Sequence, residues 1–254
     1  GNGMQTTFAA FGKRSLRAVT KQKAVIAILA MLLLMLFFKT NFYTSYNLLN
    51  ILKDAAVNEI IAFGVTLTVI AAGCDLSVGG VMCLSGIVSI QLINSGMNMW
   101  LAIILAVLCG AAVGFINGFL VVQQKTEAFI ITLGTGMLIK GINQQLTDAH
   151  PVSCTNMEFM KIANGKIGGV IPNLALYMIV IGLLVYALLR YTSYGRNLYA
   201  LGGDYDVAKY SGINVISTKW IALMLSGALA AVAGVLLSSK LNTGSSIYGD
   251  DTAL

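Results

Sequence analysis

An aspartate set among glycines, in the run GCDLSVGG from Gly73 to Gly80, is the residue of this chain best placed to do chemistry. A carboxylate there either ends one helix and caps the next through its own oxygen, with Ser77 supporting the turn, or breaks a helix within a membrane and faces whatever passes. On the residues alone, both readings of Asp75 stay open. Asn117 lies in the middle of an apolar run, where an unsatisfied amide is expensive, so it must face protein or a water-filled path. Bonding between helices and contact with a solute are its two candidate roles. Thr132 and Thr135 either bond the carbonyls of the preceding turn or line the same path.

Other chemistries find no support. Cys74, Cys83 and Cys109 sit in or beside apolar runs, where cysteine acts as a small hydrophobe, and Cys154 has no obvious partner. His150 adjoins Pro151 and stands alone, so the sequence offers no zinc spacing and no nucleophile with its base. Neither G-x-x-x-x-G-K-[ST] nor another nucleotide fingerprint occurs. Transport that uses ATP would need a second polypeptide to hydrolyse it, and this chain is expected to bind no cofactor itself.

The elements that position these residues are membrane helices. Of 254 residues, 57% are hydrophobic and only 10% charged, against about 25% charged in a soluble domain. Apolar runs recur from end to end, so the bilayer is the main solvent. The net charge of +6 reflects basic residues at membrane edges and implies no nucleic-acid partner. Seven spans are expected, at 24–38, 55–72, 78–93, 100–122, 128–146, 173–189 and 220–238. The first is short, and Lys23 and Lys39 could snorkel at its ends; Lys140 is expected to do the same. The basic N-terminus (1–23: Lys13, Arg14, Arg17, Lys21, Lys23) then places residue 1, Lys125 and a loop at 190–219 in the cytoplasm. The stretch 147–172 falls outside. Gly110, Gly114 and Gly118, and again Ser226, Ala230 and Gly234, recur at four-residue steps and offer bare helix faces for close packing.

The loop at 190–219 is a polar island with its own punctuation. Asp204 can cap a short helix over 205–211, Gly212 can end it in the left-handed conformation, and Gly202 with Gly203 can supply the turn before the cap. Ala208 and Gly212 lie four apart on one face and would offer a partner a small, approachable surface. Arg196 and Tyr199 would orient the loop against the ends of neighbouring spans.

The segment GRNLYALGGDYDVAKYSGINV in this island, with GCDLSVGG, GFINGFLV (114–121) and FIITLGTGML (129–138), resembles the ribose-type permease family of bacterial ATP-binding-cassette (ABC) importers, in order and over roughly 60–250. Cys74 stands where the family usually has Ile, and Asp204 where it more often has Asn. The resemblance implies an all-α polytopic bundle of the type II (vitamin-B12-importer-like) fold, forming one permease domain across 1–254. It implies a subunit of a monosaccharide importer in the bacterial inner membrane. Its partners would be an ABC ATPase subunit carrying the ATP, a periplasmic or surface-anchored sugar-binding protein and a second permease subunit, identical or different. It assigns coupling to the ATPase to Gly195, Arg196, Tyr199, Gly202, Gly203, Asp204, Ala208, Ser211 and Gly212. Family members continue past YGDDTAL into further spans, so more helices are expected after Leu254. An ion-gradient-driven transporter, and an ABC permease for a nucleoside or autoinducer, are the alternatives. A membrane-embedded enzyme would need a catalytic pair that is not visible.

Overall fold

The computed structural model describes residues 23–38 and 41–248, in two units divided between Ile51 and Leu52. The basic cluster up to Lys21, Lys39, and the terminal Asp250 and Asp251 lie outside the described residues. The first unit holds α1 (Lys23–Phe37), a 3-10 turn at Asn41–Tyr43 and the opening turns of α2 (Ser45–Ile70). α1 is apolar around its whole circumference and buries none of its side chains, as expected of a helix solvated by lipid. The Tyr43 hydroxyl donates to the Leu32 carbonyl.

In the second unit, α2 runs through a break at 71–77 into α3 (Val78–Asn94), followed by α4 (Met99–Gln124) and α5 (Ala128–Thr147). The strand β1 (Val152–Ser153), the helix α6 (Met157–Asn164) and the hairpin of β2 (Lys166–Ile167) and β3 (Ile171–Pro172) lead into α7 (Asn173–Tyr191). Then come α8 (Ser193–Gly203), α9 (Tyr205–Tyr210), α10 (Val215–Leu241) and β4 (Thr243–Gly244). β1 pairs antiparallel with β4, Val152 opposite Gly244. These two-residue strands are the departures from an all-helical chain. They arise because 150–172 folds down onto the end of α10, where the Ser239 hydroxyl donates to the Phe159 carbonyl at 2.5 Å and accepts from the Ala163 N–H at 3.1 Å.

α10 is the centre of the second unit, with α4 and α3 packed most extensively against it. Small residues make this possible. A Cβ added at Gly110 would lie 2.3 Å from the Ala231 Cβ, and one at Gly227 would lie 2.4 Å from the Gly110 carbonyl oxygen. One at Gly234 would meet the Met82 carbonyl at 2.0 Å. The two rows read in the sequence therefore serve different contacts: Gly110 and Gly114 lie against Gly227, Ala231 and the Leu223 carbonyl of α10, while Ser226 lies against Gly64 of α2 and Gly234 against α3. Asn214 starts α10 by accepting from the Ser217 N–H at 3.0 Å, and Asn242, at φ 53°, ends it.

Among the described residues, three helices are long and apolar enough to cross a membrane: α4, α7 and α10. α1 and α3 are shorter apolar helices, and α2 carries Lys53, Asp54 and Glu59. The expected boundaries shift most in two places. α2 begins at Ser45 rather than near Ala55, because NLLNILKDAAV continues the helical pattern without a breaker. α10 begins at Val215, so Lys219 belongs to a helix rather than to the loop.

Candidate functional site

The break between α2 and α3 gathers polar side chains from four parts of the second unit. Ala72 takes a left-handed φ of 56° and the Gly73 N–H returns to the Thr68 carbonyl at 2.9 Å, which ends α2. Asp75 follows outside any helix, 2% exposed. One carboxylate oxygen accepts from the Ser77 N–H at 2.9 Å and the Ser77 hydroxyl at 2.6 Å; the other accepts from the Ser226 hydroxyl of α10 at 2.7 Å. The Asn117 amide of α4 donates to the Ser77 hydroxyl at 3.0 Å. A directed chain results, Asn117 to Ser77 to Asp75, with Ser226 closing it from the other side. Charge-assisted bonds of this kind are the stronger ones in a protein interior.

Of the two readings open for Asp75, capping of α3 itself is not what the carboxylate does, although it orders the turn before that helix. The residue flanking α3 is Ser77, whose side chain makes no capping bond, and the carboxylate bonds within the break and across to α10 instead. Thr132 of α5 joins the same region. Its hydroxyl accepts from the Leu76 N–H at 3.0 Å and donates to the Ala128 carbonyl at 2.7 Å, with the Cys74 carbonyl 3.1 Å away. Thr135 does not join. It bonds the Ile131 carbonyl at 2.9 Å and lines an apolar cavity of about 470 Å³ with Leu84, Val113 and Ile139. The partner missed in the sequence is Ser226, which was legible only as one small residue in a row of them. The Asn117 Oδ1, fully buried, has no partner. It is the one oxygen of this junction left over.

What this arrangement can do is bind elements together and hold a fixed polar surface. Among the described residues no group of three or more His, Cys, Asp or Glu could hold a metal ion. The Ser77 and Ser226 hydroxyls both donate to the Asp75 carboxylate. Burial pushes the Cys154 thiol up from its ordinary value, the backbone of Asn156 opposing in part.

The polar island is folded. Thr192 caps α8 by accepting from the Gly195 N–H at 3.2 Å, and Asp204 caps α9 by accepting from the Val207 N–H at 3.0 Å. α9 ends at Tyr210, Ser211 follows it, and Gly212, at φ +84°, donates to the Lys209 carbonyl. Gly202 and Gly203 are not a turn: they are the last residues of α8. A Cβ at Gly202 would fall 1.8 Å from the Ile70 carbonyl oxygen, so what this position needs is close approach to α2. Gly195 similarly abuts the Leu189 carbonyl, at 2.3 Å from a Cβ placed there.

Ala208 departs from expectation. It is 2% exposed and packs inward with Leu67, Ala71, Leu198, Leu201, Val215 and Ala222. It seats α9 on the chain's own helices and is not available to a partner. The outward face carries Tyr205, Val207 and Tyr210, the last 87% exposed. Arg196 and Tyr199 lie exposed beside the end of α7, where they share a cavity with Tyr186, Leu189 and Arg190. Burial pushes the Tyr194 phenol up from its ordinary value, and its hydroxyl donates to the Thr218 carbonyl at 3.0 Å.

Residues 47–254 match the family model described as branched-chain amino acid transport system / permease component, and the chain belongs to that family. It is 34% identical to the ribose import permease protein of Haemophilus influenzae, over 89% of this chain and 71% of that one. To the ribose import permease protein of Bacillus subtilis it is 35% identical, over 84% and 67%. To the galactose/methyl galactoside import permease protein of Escherichia coli it is 30% identical, over 95% and 77%. No solved structure matches.

Proposed function

We propose that this chain is the membrane-spanning permease subunit of an ABC importer that carries a monosaccharide, ribose or another small sugar, across the cytoplasmic membrane. The observation that carries this reading is its likeness to sugar import permeases over most of its length. The chain is a transport subunit rather than an enzyme. ATP is bound and hydrolysed by a separate ATPase subunit, a binding protein outside the membrane delivers the sugar, and a second permease subunit completes the path.

In this reading α1, α2, α3, α4, α5, α7 and α10 are the seven spans of a type II bundle, with the N-terminus in the cytoplasm. α8 and α9 then face the ATPase and 150–172 faces outward. Asp204, Ser211 and Gly212 shape α9, Gly195 and Gly202 let α8 lie close to its supports, Gly203 closes α8 in open space, and Ala208 holds α9 from within. The docking surface is the outward set Tyr205, Val207 and Tyr210, large side chains of the kind that anchor interfaces. Asp75, Ser77, Asn117 and Thr132 fix the helix break beside the path, and Thr135 sits on its apolar margin. An ion-coupled mechanism is disfavoured because the Asp75 carboxylate already accepts three hydrogen bonds from within the chain.

The test is reconstitution of the permease with its ATPase and binding protein in proteoliposomes. ATP hydrolysis should rise with added monosaccharide, and labelled sugar should accumulate only with ATP. Uptake that follows an ion gradient without ATP would overturn the reading, and a nucleoside outcompeting every sugar would replace its substrate. Single cysteines at Ser153 and Ser193, in a chain cleared of the native ones, should be labelled from opposite sides.

A further inference from the structure

The end of α7 carries a feature that the coupling role expected of Arg196 and Tyr199 does not account for. Tyr186, Leu189 and Arg190 of α7, with Arg196 and Tyr199 of α8, enclose a cavity of about 410 Å³. Among the described residues, neither guanidinium meets a carboxylate. Two unpaired arginines in one cavity are positive charge without a counter-ion, and their planar donors match the oxygens of a phosphate. The cavity does not stand alone on the surface. Ile179, Leu183, Tyr186 and Arg190 fall at helical spacing on one face of α7, and Ile179 and Leu183 are exposed apolar residues. α7 buries only Leu174 and Ala175, at its opposite end. An apolar track a few turns long thus runs straight up to the paired arginines, with tyrosines at the junction, where aromatic rings sit at a membrane interface.

From this we infer that the α7–α8 corner binds an anionic phospholipid, its phosphate headgroup between Arg190 and Arg196 and an acyl chain along Ile179 and Leu183. A free phosphate would use the arginines and ignore the track; a neutral lipid would use the track and leave both charges unpaired. An anionic lipid satisfies the two together, and basic pockets at helix ends are suited to such headgroups. The inference rests on α7 crossing the bilayer and does not depend on which solute is carried. Lipid bound there would tie α8, and through it α9, to the membrane surface.

The experiment is native mass spectrometry of the intact chain in detergent, doped with phosphatidylglycerol or with phosphatidylcholine of the same acyl chains. Phosphatidylglycerol should be retained on the wild-type chain and phosphatidylcholine should not. R190Q/R196Q should lower phosphatidylglycerol retention about tenfold, and R190K/R196K, which keeps the charge but loses the forked donors, should fall between. Inorganic phosphate in large excess should leave the lipid in place. Thermal unfolding of the variants in lipid-free detergent should match wild type, so that lost retention reports the site rather than the fold. Equal retention by the glutamine variant, equal retention of phosphatidylcholine, or displacement by inorganic phosphate would each overturn the inference.

Discussion

The α2–α3 break and the α8–α9 island both interrupt an apolar chain with polar residues, and they treat those residues in opposite ways. At the break, Asp75, Ser77, Asn117 and Ser226 turn toward one another until nearly every donor and acceptor is used. In the island the polar groups cap helix ends, as Thr192 and Asp204 do, while Tyr205, Val207 and Tyr210 are left facing out. A region that satisfies itself is a structural joint. A region that closes its backbone and still displays large apolar side chains is prepared for a partner.

The largest effect that would break this contrast is at the joint. Asp75→Ala strips the acceptor from three buried donors and should cost about 3 kcal/mol of stability, read as a lowered unfolding midpoint in detergent. Asp75→Asn keeps one oxygen for Ser77 and should retain most of both stability and sugar uptake. Uptake abolished in a stable Asn variant would show that the charge itself is used. Next comes the island's outer face, where Val207→Arg should weaken ATPase binding by about 2 kcal/mol, seen as loss of co-purification. Its unfolding midpoint should stay at the wild-type value, because residue 207 is 61% exposed. A midpoint that falls instead would make the island another joint.

Smaller changes sharpen the same line. Asp204→Ala removes the cap of α9 and should cost about 1 kcal/mol, visible as faster amide exchange over 205–211, with Asp204→Asn close to wild type. The smallest effect is at Tyr194, whose buried phenol is raised above its ordinary 10.0. The folded chain keeps that proton after the unfolded chain has lost it, so the stabilisation present below pH 10 should decline as pH rises above it. Tyr194→Phe should flatten that decline in an unfolding series from pH 9 to 11.

The sequence disclosed periodic features better than directional ones. The glycine steps at 110, 114 and 118 announce a close helix contact by spacing alone, and Asp204 announces a helix start because few residues can accept from a free N–H there. Asp75 was visible as a carboxylate among glycines, but its reach to Ser226, 151 positions along the chain, has no local signature. Ala208 failed for the same reason. A helix shorter than two turns has no periodicity to tell its inner face from its outer one, so which face packs was decided by Leu198, Leu201 and Ala222. Gly202 suggests a turn from sequence because glycine serves turns and close approach equally; only the neighbouring Ile70 carbonyl distinguishes them.

The seam where Gly110, Gly227 and Gly234 set backbone on backbone also governs how the protein can move. Side chains let packed helices slip by changing rotamers, and a contact made of backbone has no rotamers to change. Sliding α10 along α4 by one residue would drive the Ala231 methyl, now facing Gly110, toward a neighbouring position that carries a Cβ of its own. α3, α4 and α10 should thus travel through a transport cycle as a single block, with the motion taken up elsewhere, by tilting of the block as a whole rather than by shear within it.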